Sequence, residues 1–144
     1  MIIKVGERDE SLEYGFRETC FGICVKDNVF FVTRKGKQFS LIGGGVEKNE
    51  SKEQCLEREF LEEAGLKIKS AKDLCTVDCY WLANGNYPLR SLAHFFVVDV
   101  NDEQTQPSES GCELAEVPYD QIEQILPLPY QIAAVVYYKS MLGS

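Results

Sequence analysis

One histidine, one tryptophan and two methionines are all that this chain of 144 residues holds of those types. The histidine shortage constrains the chemistry first. With only His94 available, a Ser/His or Cys/His nucleophilic pair must use that residue or not exist. It stands in "SLAHFFVVDV", where a structural role in a strand, or one at a substrate's edge, is the expectation. No apolar run approaches the roughly 18 residues of a membrane span, and "MIIKVGERDE" lacks the basic-then-apolar order of a secretory signal. The expected location is the cytoplasm. Positive charge is also scarce: 15 basic against 23 acidic residues leave a net charge of -8, a field that repels nucleic-acid backbones and anionic membranes. Neither a nucleic-acid polymer nor a membrane is an expected partner. A small anionic substrate stays compatible if bound cations and local Lys or Arg side chains reverse that field at the site.

Tight CxxC knuckles are missing as well. The six cysteines include Cys20, Cys24, Cys75 and Cys79 in apolar, β-rich stretches, so buried, reduced thiols are expected. The alternative is a four-thiolate zinc site, if the strands carrying those two pairs are neighbours.

What remains is an ordinary globular composition, 44% apolar, sufficient for the core of one domain spanning residues 1–144. "ETCFGICV" and "NVFFVTR" read as strands joined in a hairpin at "KDN", and "FSLIGG" as a short extended run ending in glycine. Ser51 with Gln54 has capping-box spacing, and Gly65 suits the position past a helix end, which predicts a helix over 52–64. Leu56, Phe60 and Ala64 give it a narrow apolar stripe. "LKIKSAKDLCTVDCYWLA" and "RSLAHFFVVDV" read as longer strands about the loop "NGNYP"; the polar stretch "NDEQTQPSESG" then precedes a strand near "CELAEV". "YDQIEQIL" and "PYQIAAVVYYKSML", with Pro129 near the start of the second, read as closing helices. Strands, one helix, more strands and then helices make an α+β domain with a mixed sheet.

The helix over 52–64 carries an electrostatic oddity. Glu59, Glu62 and Glu63, spaced i, i+3 and i+4, share a face and repel, and acids in a last turn oppose the helix dipole. A solvated charged face is the plain explanation. A divalent cation would reverse the sign of the argument, because magnesium and manganese take hard oxygen ligands. Arg58 flanks the face, placed to orient one carboxylate or to pair with Glu50 in the preceding loop.

The glycines decide between these. From Gly44, five residues lead to Glu50 and seven more to Arg58-Glu59; Phe60-Leu61-Glu62-Glu63-Ala64-Gly65-Leu66 follows. This resembles the Nudix box, Gx5Ex7REUxEExGU with U a bulky apolar residue, at all nine specified positions. A chance match in such a chain is below roughly one in a million. Two positions differ from common family usage: Ile42 stands where many members have proline, and Phe60 where an aliphatic residue is usual. The first bears on loop stiffness and the second on core volume.

The resemblance implies a Nudix fold, a mixed β-sheet sandwiched between α-helices. It also implies hydrolysis of the pyrophosphate linkage in a nucleoside diphosphate joined to another moiety, such as a nucleoside triphosphate or related nucleotide. Magnesium, with manganese as substitute, is the implied cofactor. Glu59 and Glu63 become the leading metal ligands, Glu62 a further one directly or through water, and the Gly43 carbonyl an additional oxygen. Gly44 and Glu50 brace the box with Arg58. Glu59 is the first candidate for general base, with Glu109 and Glu113 as candidates outside the box. Arg34, Lys35, Lys37 and Arg90 are candidates to meet phosphates, and Phe39, Tyr80, Trp81 and Tyr87 to stack on a base. The protein is expected as a monomer or homodimer. A catalytically silent nucleotide-binding or regulatory module is the alternative, although such modules commonly lose box acids and every one is present here. An isoprenoid diphosphate isomerase of the same fold would need an acid facing a cysteine such as Cys24 or Cys79.

Overall fold

Alternation of apolar side chains along two long strands builds the centre of the molecule. The computed structural model describes residues 1–101 and 103–142. Strands β6 (Ile68–Ala83) and β7 (Tyr87–Val100) form an antiparallel hairpin. Asn84 and Gly85 turn it at positive φ of 50° and 93°, which asparagine and glycine tolerate best. Cys75, Val77, Cys79, Ala93 and Phe95 face one side of the sheet, and Phe96, Val98 and Val100 the other. A sheet apolar on both faces needs a cover on each.

The other strands extend this pair. They are β1 (Ile2–Val5), β2 (Gly15–Ile23), β3 (Val25–Lys26), β4 (Val29–Lys35), β5 (Gln38–Gly45) and β8 (Glu113–Pro118). Their order is β1-β6-β7-β2-β5-β4-β3, with β8 also on β4. β1 runs parallel to β6 and β2 parallel to β7, while the other pairings are antiparallel. Helix α1 (Lys52–Glu59) covers one face through Cys55 and Leu56, beside Cys20, Ile42 and Phe96. On the opposite face α2 (Ile122–Ile125) and α3 (Pro129–Leu142) place Ile122, Tyr130, Ala134 and Val135 against Phe21, Val77 and Phe95. The mixed sheet between helices is the architecture expected. Among the described residues no helix is long and apolar enough to cross a membrane.

Several local expectations change. The hairpin at "KDN" exists, with Asp27 and Asn28 at φ 50° and 66°, but only the two-residue β3 pairs with β4 through it. β2 lies instead between β7 and β5, a pairing of distant segments that local sequence cannot reveal. β1 was not among the predicted strands; it is held by its ladder to β6. In the polar stretch 101–111, Asp102 lies outside the described residues, as do Gly143 and Ser144 at the end of the expected domain.

The cysteines also differ. Cys20 and Cys55 are joined in a disulfide with Cα atoms 6.6 Å apart, whereas Cys24, Cys75, Cys79 and Cys112 are free and buried. Thirty-five residues separate the paired positions, so only the docking of α1 onto β2 brings them together. Alkylation of denatured, unreduced protein should therefore modify four cysteines and spare Cys20 and Cys55. Reduction should lower the unfolding free energy by about 4 kcal/mol, the chain entropy of a loop that long. Alkylation of all six without reductant would contradict the pairing.

Candidate active site

The predicted helix begins as its sequence says. Ser51 accepts from the Gln54 backbone N–H at 3.0 Å, and the Gln54 side chain accepts from the Ser51 N–H at 2.9 Å, a complete capping box. Its end is different: after Glu59 the chain widens into a π-helical turn over Phe60–Ala64, closed by Gly65 at φ 65°. Phe60 fills the core with no exposed surface, which is worth about 3 kcal/mol of burial. The wider turn alters the facing that α-helical spacing predicts. Glu59 and Glu63 turn inward, 8% and 6% exposed, while the Glu62 side chain remains half exposed.

A buried helix end leaves carbonyls without partners. The segment after β7 supplies them. Gln106 Nε2 donates to the Leu61 carbonyl at 3.0 Å, the Glu109 N–H to Glu62 at 2.8 Å, Gln104 Nε2 to Ala64 at 2.9 Å and the Thr105 N–H to Gly65 at 2.7 Å. The same segment brings Glu109 to the site. Gly65 cannot be replaced at no cost, because a Cβ there would lie 1.8 Å from the Gln106 carbonyl oxygen at a φ that side chains avoid.

Glu59 rests against β5, where a Cβ on Gly44 would come within 2.6 Å of its Oε2. Arg58 gathers the acids around it. Its Nε and Nη2 hold Glu50 at 2.8 and 3.0 Å, Nη2 also donates to the Gly45 carbonyl at 3.0 Å, and Nη1 reaches Glu59 and, at 3.2 Å, Glu62. This bidentate grip, with the Glu47 N–H, holds Glu50 well below the usual carboxylate range, at about 2. Glu63 moves the other way. Burial first, then its hydrogen bond to Glu59 and the charges of Glu59 and Glu109, push its pKa up to about 8 against the pull of Lys35. Thr33 Oγ1 and Cys112 Sγ donate to its carboxylate at 3.4 and 3.7 Å.

These groups line an open cleft of about 490 Å³. Gly43, Gly44, Arg58, Glu59, Glu62, Glu63, Phe39, Lys35 and Glu109 all border it, as the sequence reading allowed. Glu50 lies behind, on Arg58. The other substrate candidates are elsewhere. Arg34 pairs with Glu113 at 2.5 Å outside the cleft, so neither lines it. Arg90 grips Asp78 through two bonds of 2.9 and 3.0 Å and faces the rings of Phe16 and Tyr80. Trp81 donates to Ser91 Oγ at 2.9 Å and meets Tyr130 edge-on, on the core side of the cleft wall. Cys24 and Cys79 are buried, with burial raising both thiols to about 11, and neither borders the cleft. His94 bridges Thr76 and Glu18 on the sheet.

Sequence reading missed Arg17 and Phe21 on β2, Gln38 and Ser40 on β5, and Pro127, Leu128, Tyr130 and Gln131 around the start of α3. Only Gln131 carried a possible signal, as a polar residue in an apolar helix. It is fully buried, accepting from the Leu41 N–H at 2.9 Å and donating to Ser40 Oγ at 3.0 Å, so its amide fixes the cleft wall.

A divalent cation suits the donors in chemical kind: hard carboxylate oxygens crowded until one must hold a proton. Among the described residues, though, no three acids already stand in metal-ligating arrangement. Glu62 is turned to Arg58.

The NUDIX domain family model matches residues 17–139. No curated protein matches the chain. Among solved structures, a Nudix hydrolase from Nitrosomonas europaea superposes with a TM-score of 0.67 at 16% identity, covering 87% of this chain and 89% of that one. A mutator MutT protein from Bacillus halodurans gives 0.69 at 18%, over 89% and 83%. A protein described as an ADP compounds hydrolase gives 0.61 at 16%, over 88% and 73%. At these identities the structural likeness establishes the fold.

The Glu63 proton has a consequence for stability. A carboxyl that ionises near 4.5 when unfolded and near 8 when folded adds stability fully present below the first value and lost as pH rises through the second. Metal-free protein should therefore lose thermal stability between about pH 4.5 and 8, and Glu63→Gln should flatten that slope. Melting curves across this window check it; equal slopes in both proteins would contradict the assignment.

Proposed function

This chain belongs to the Nudix family, a family of pyrophosphohydrolases acting on small nucleotides, and we propose that it is a magnesium-dependent hydrolase of a nucleoside triphosphate or related nucleoside diphosphate derivative. The observation that carries this reading is the juxtaposition of Glu59 and Glu63, buried side by side, on an open cleft floored by Gly43–Gly45. The names of two structural neighbours, a MutT protein and an ADP compounds hydrolase, point the same way.

Glu59, Glu63 and the Gly43 carbonyl would hold the cation, with Glu62 joining directly or through water once it leaves Arg58. When bound, magnesium, or manganese in its place, neutralises phosphoanhydride oxygens and lowers the pKa of water. The chain's own groups do the rest. Glu59 is the first candidate to take the proton of the attacking water, being a carboxylate held in place by Arg58. Glu109, on the cleft and 3.9 Å from Lys35, is the candidate outside the box, whereas Glu113, paired with Arg34 away from the cleft, is not placed for the role. Arg58 and Glu50 fix the loop before α1 so that the Gly44 backbone stays against Glu59. Phe39 offers an aromatic surface for the base. The working unit is a single domain, as a monomer or homodimer, with no polymer or membrane partner.

The test is a screen of nucleoside triphosphates, oxidised nucleotides, nucleotide sugars, ADP-ribose and dinucleoside polyphosphates with magnesium, scored by phosphorus product. Glu59→Gln and Glu63→Gln should each lower kcat/KM about 100-fold or more, with unchanged circular dichroism. Undiminished turnover in both variants would defeat the reading.

A further inference from the structure

The cleft contains three cations, and two are already engaged. Arg58 is surrounded by Glu47, Glu50, Glu59 and Glu62, and Lys35 stands 3.9 Å from Glu109. Arg17, exposed on β2, lines the same cleft yet makes no ion pair among the described residues. Its five N–H donors, in a planar fork, match carboxylate or phosphate oxygens, and none is taken by a carboxylate among the described residues.

Its placement is specific. Successive residues of a strand point to opposite faces. A Cβ on Gly44 would meet the Glu59 carboxylate, whereas one on Gly45 would meet Arg17 Nη2 at 3.7 Å and Nε at 3.9 Å. The missing side chain at Gly45 thus leaves room for the guanidinium on the far side of the backbone from the carboxylates. Tyr130, whose phenol is pushed up by burial and pulled back by the charge of Arg17, borders the same cleft. Two residues along the same face of β2, behind the cleft, the Thr19 hydroxyl is buried with no hydrogen-bond partner among the described residues. Phe21, two further, borders the cleft again.

We propose that Arg17 is a specificity-determining residue, which binds an anionic group of the substrate lying beyond the diphosphate at the glutamates. This inference rests on the pyrophosphohydrolase reading for the position of that diphosphate. A substrate carrying a third phosphate gains the Arg17 contact, and one ending in a neutral group does not.

The test is calorimetric binding, in magnesium, of nucleoside triphosphates and diphosphates whose bridging oxygens are replaced by methylene, in adenosine and guanosine forms. The proteins compared are wild type, Arg17→Met, Arg17→Lys and, as a surface-charge control, Lys72→Met. Arg17 is exposed, so its variants keep the fold. Wild type should prefer the triphosphate. Arg17→Met should weaken triphosphate binding about tenfold or more and diphosphate binding less than about twofold, with part of the loss restored by Lys and none caused at Lys72. Equal losses for both ligands, no loss for either, or no triphosphate preference in the wild type would overturn the assignment. A wild type that binds with this preference but never turns over hydrolysable nucleotides would defeat the hydrolase reading and leave the role of Arg17 standing.

Discussion

Two carboxylates held side by side away from water repel each other strongly, and the surroundings of Glu59 and Glu63 can be understood as ways of living with that repulsion. Glu63 keeps a proton to about pH 8. Glu59 leans on Arg58, and Arg58 is held in turn by Glu50. A folded chain tolerates such crowding only if the backbone on either side is pinned, since otherwise the helix end would unwind and release both acids to solvent. A cation bound there would replace a repulsion, or a shared proton, with an attraction.

The pinning comes from three directions. The disulfide between Cys20 and Cys55 fixes α1 to β2 one turn before Glu59. The absent side chain at Gly44 lets the Glu59 carboxylate come close to the backbone of β5. The segment from Gln104 to Cys112 takes up the carbonyls of the π-helical turn and, by the same bonds, sets Glu109 on the cleft. Structural and chemical roles thus fall on the same hydrogen bonds. The far wall, with Tyr130, Arg17 and a Gln131 side chain bound to β5, carries no acid of the box.

Much of the box was legible because its meaning is local. Ser51 and Gln54 cap a helix wherever a helix follows, Gly65 ends one, and Arg58 lies within reach of Glu50 and Glu62 through short stretches of chain. The substrate candidates fared differently. Arg34, Tyr80, Trp81 and Arg90 were selected by residue type, and type says nothing about which sheet face or partner a side chain finds. Arg90 and Arg17 stand on paired parallel strands, Arg90 opposite Phe16 and Arg17 opposite Ser91, yet Asp78 grips the first and no described acid pairs with the second.

By itself, then, the sequence determined where the helix starts, its caps, the acids at its end and the mixed α+β architecture, which follow from periodicity and short spacing, and the resemblance of its box marked the family. Tertiary structure alone decided that β2 lies between β7 and β5, that Cys20 meets Cys55, that the widened turn sends Glu63 inward and Glu62 outward, and that Arg17 faces the cleft. These depend on packing between segments tens of residues apart, where the energy of a contact is set by what the whole fold brings to it and not by the neighbours along the chain.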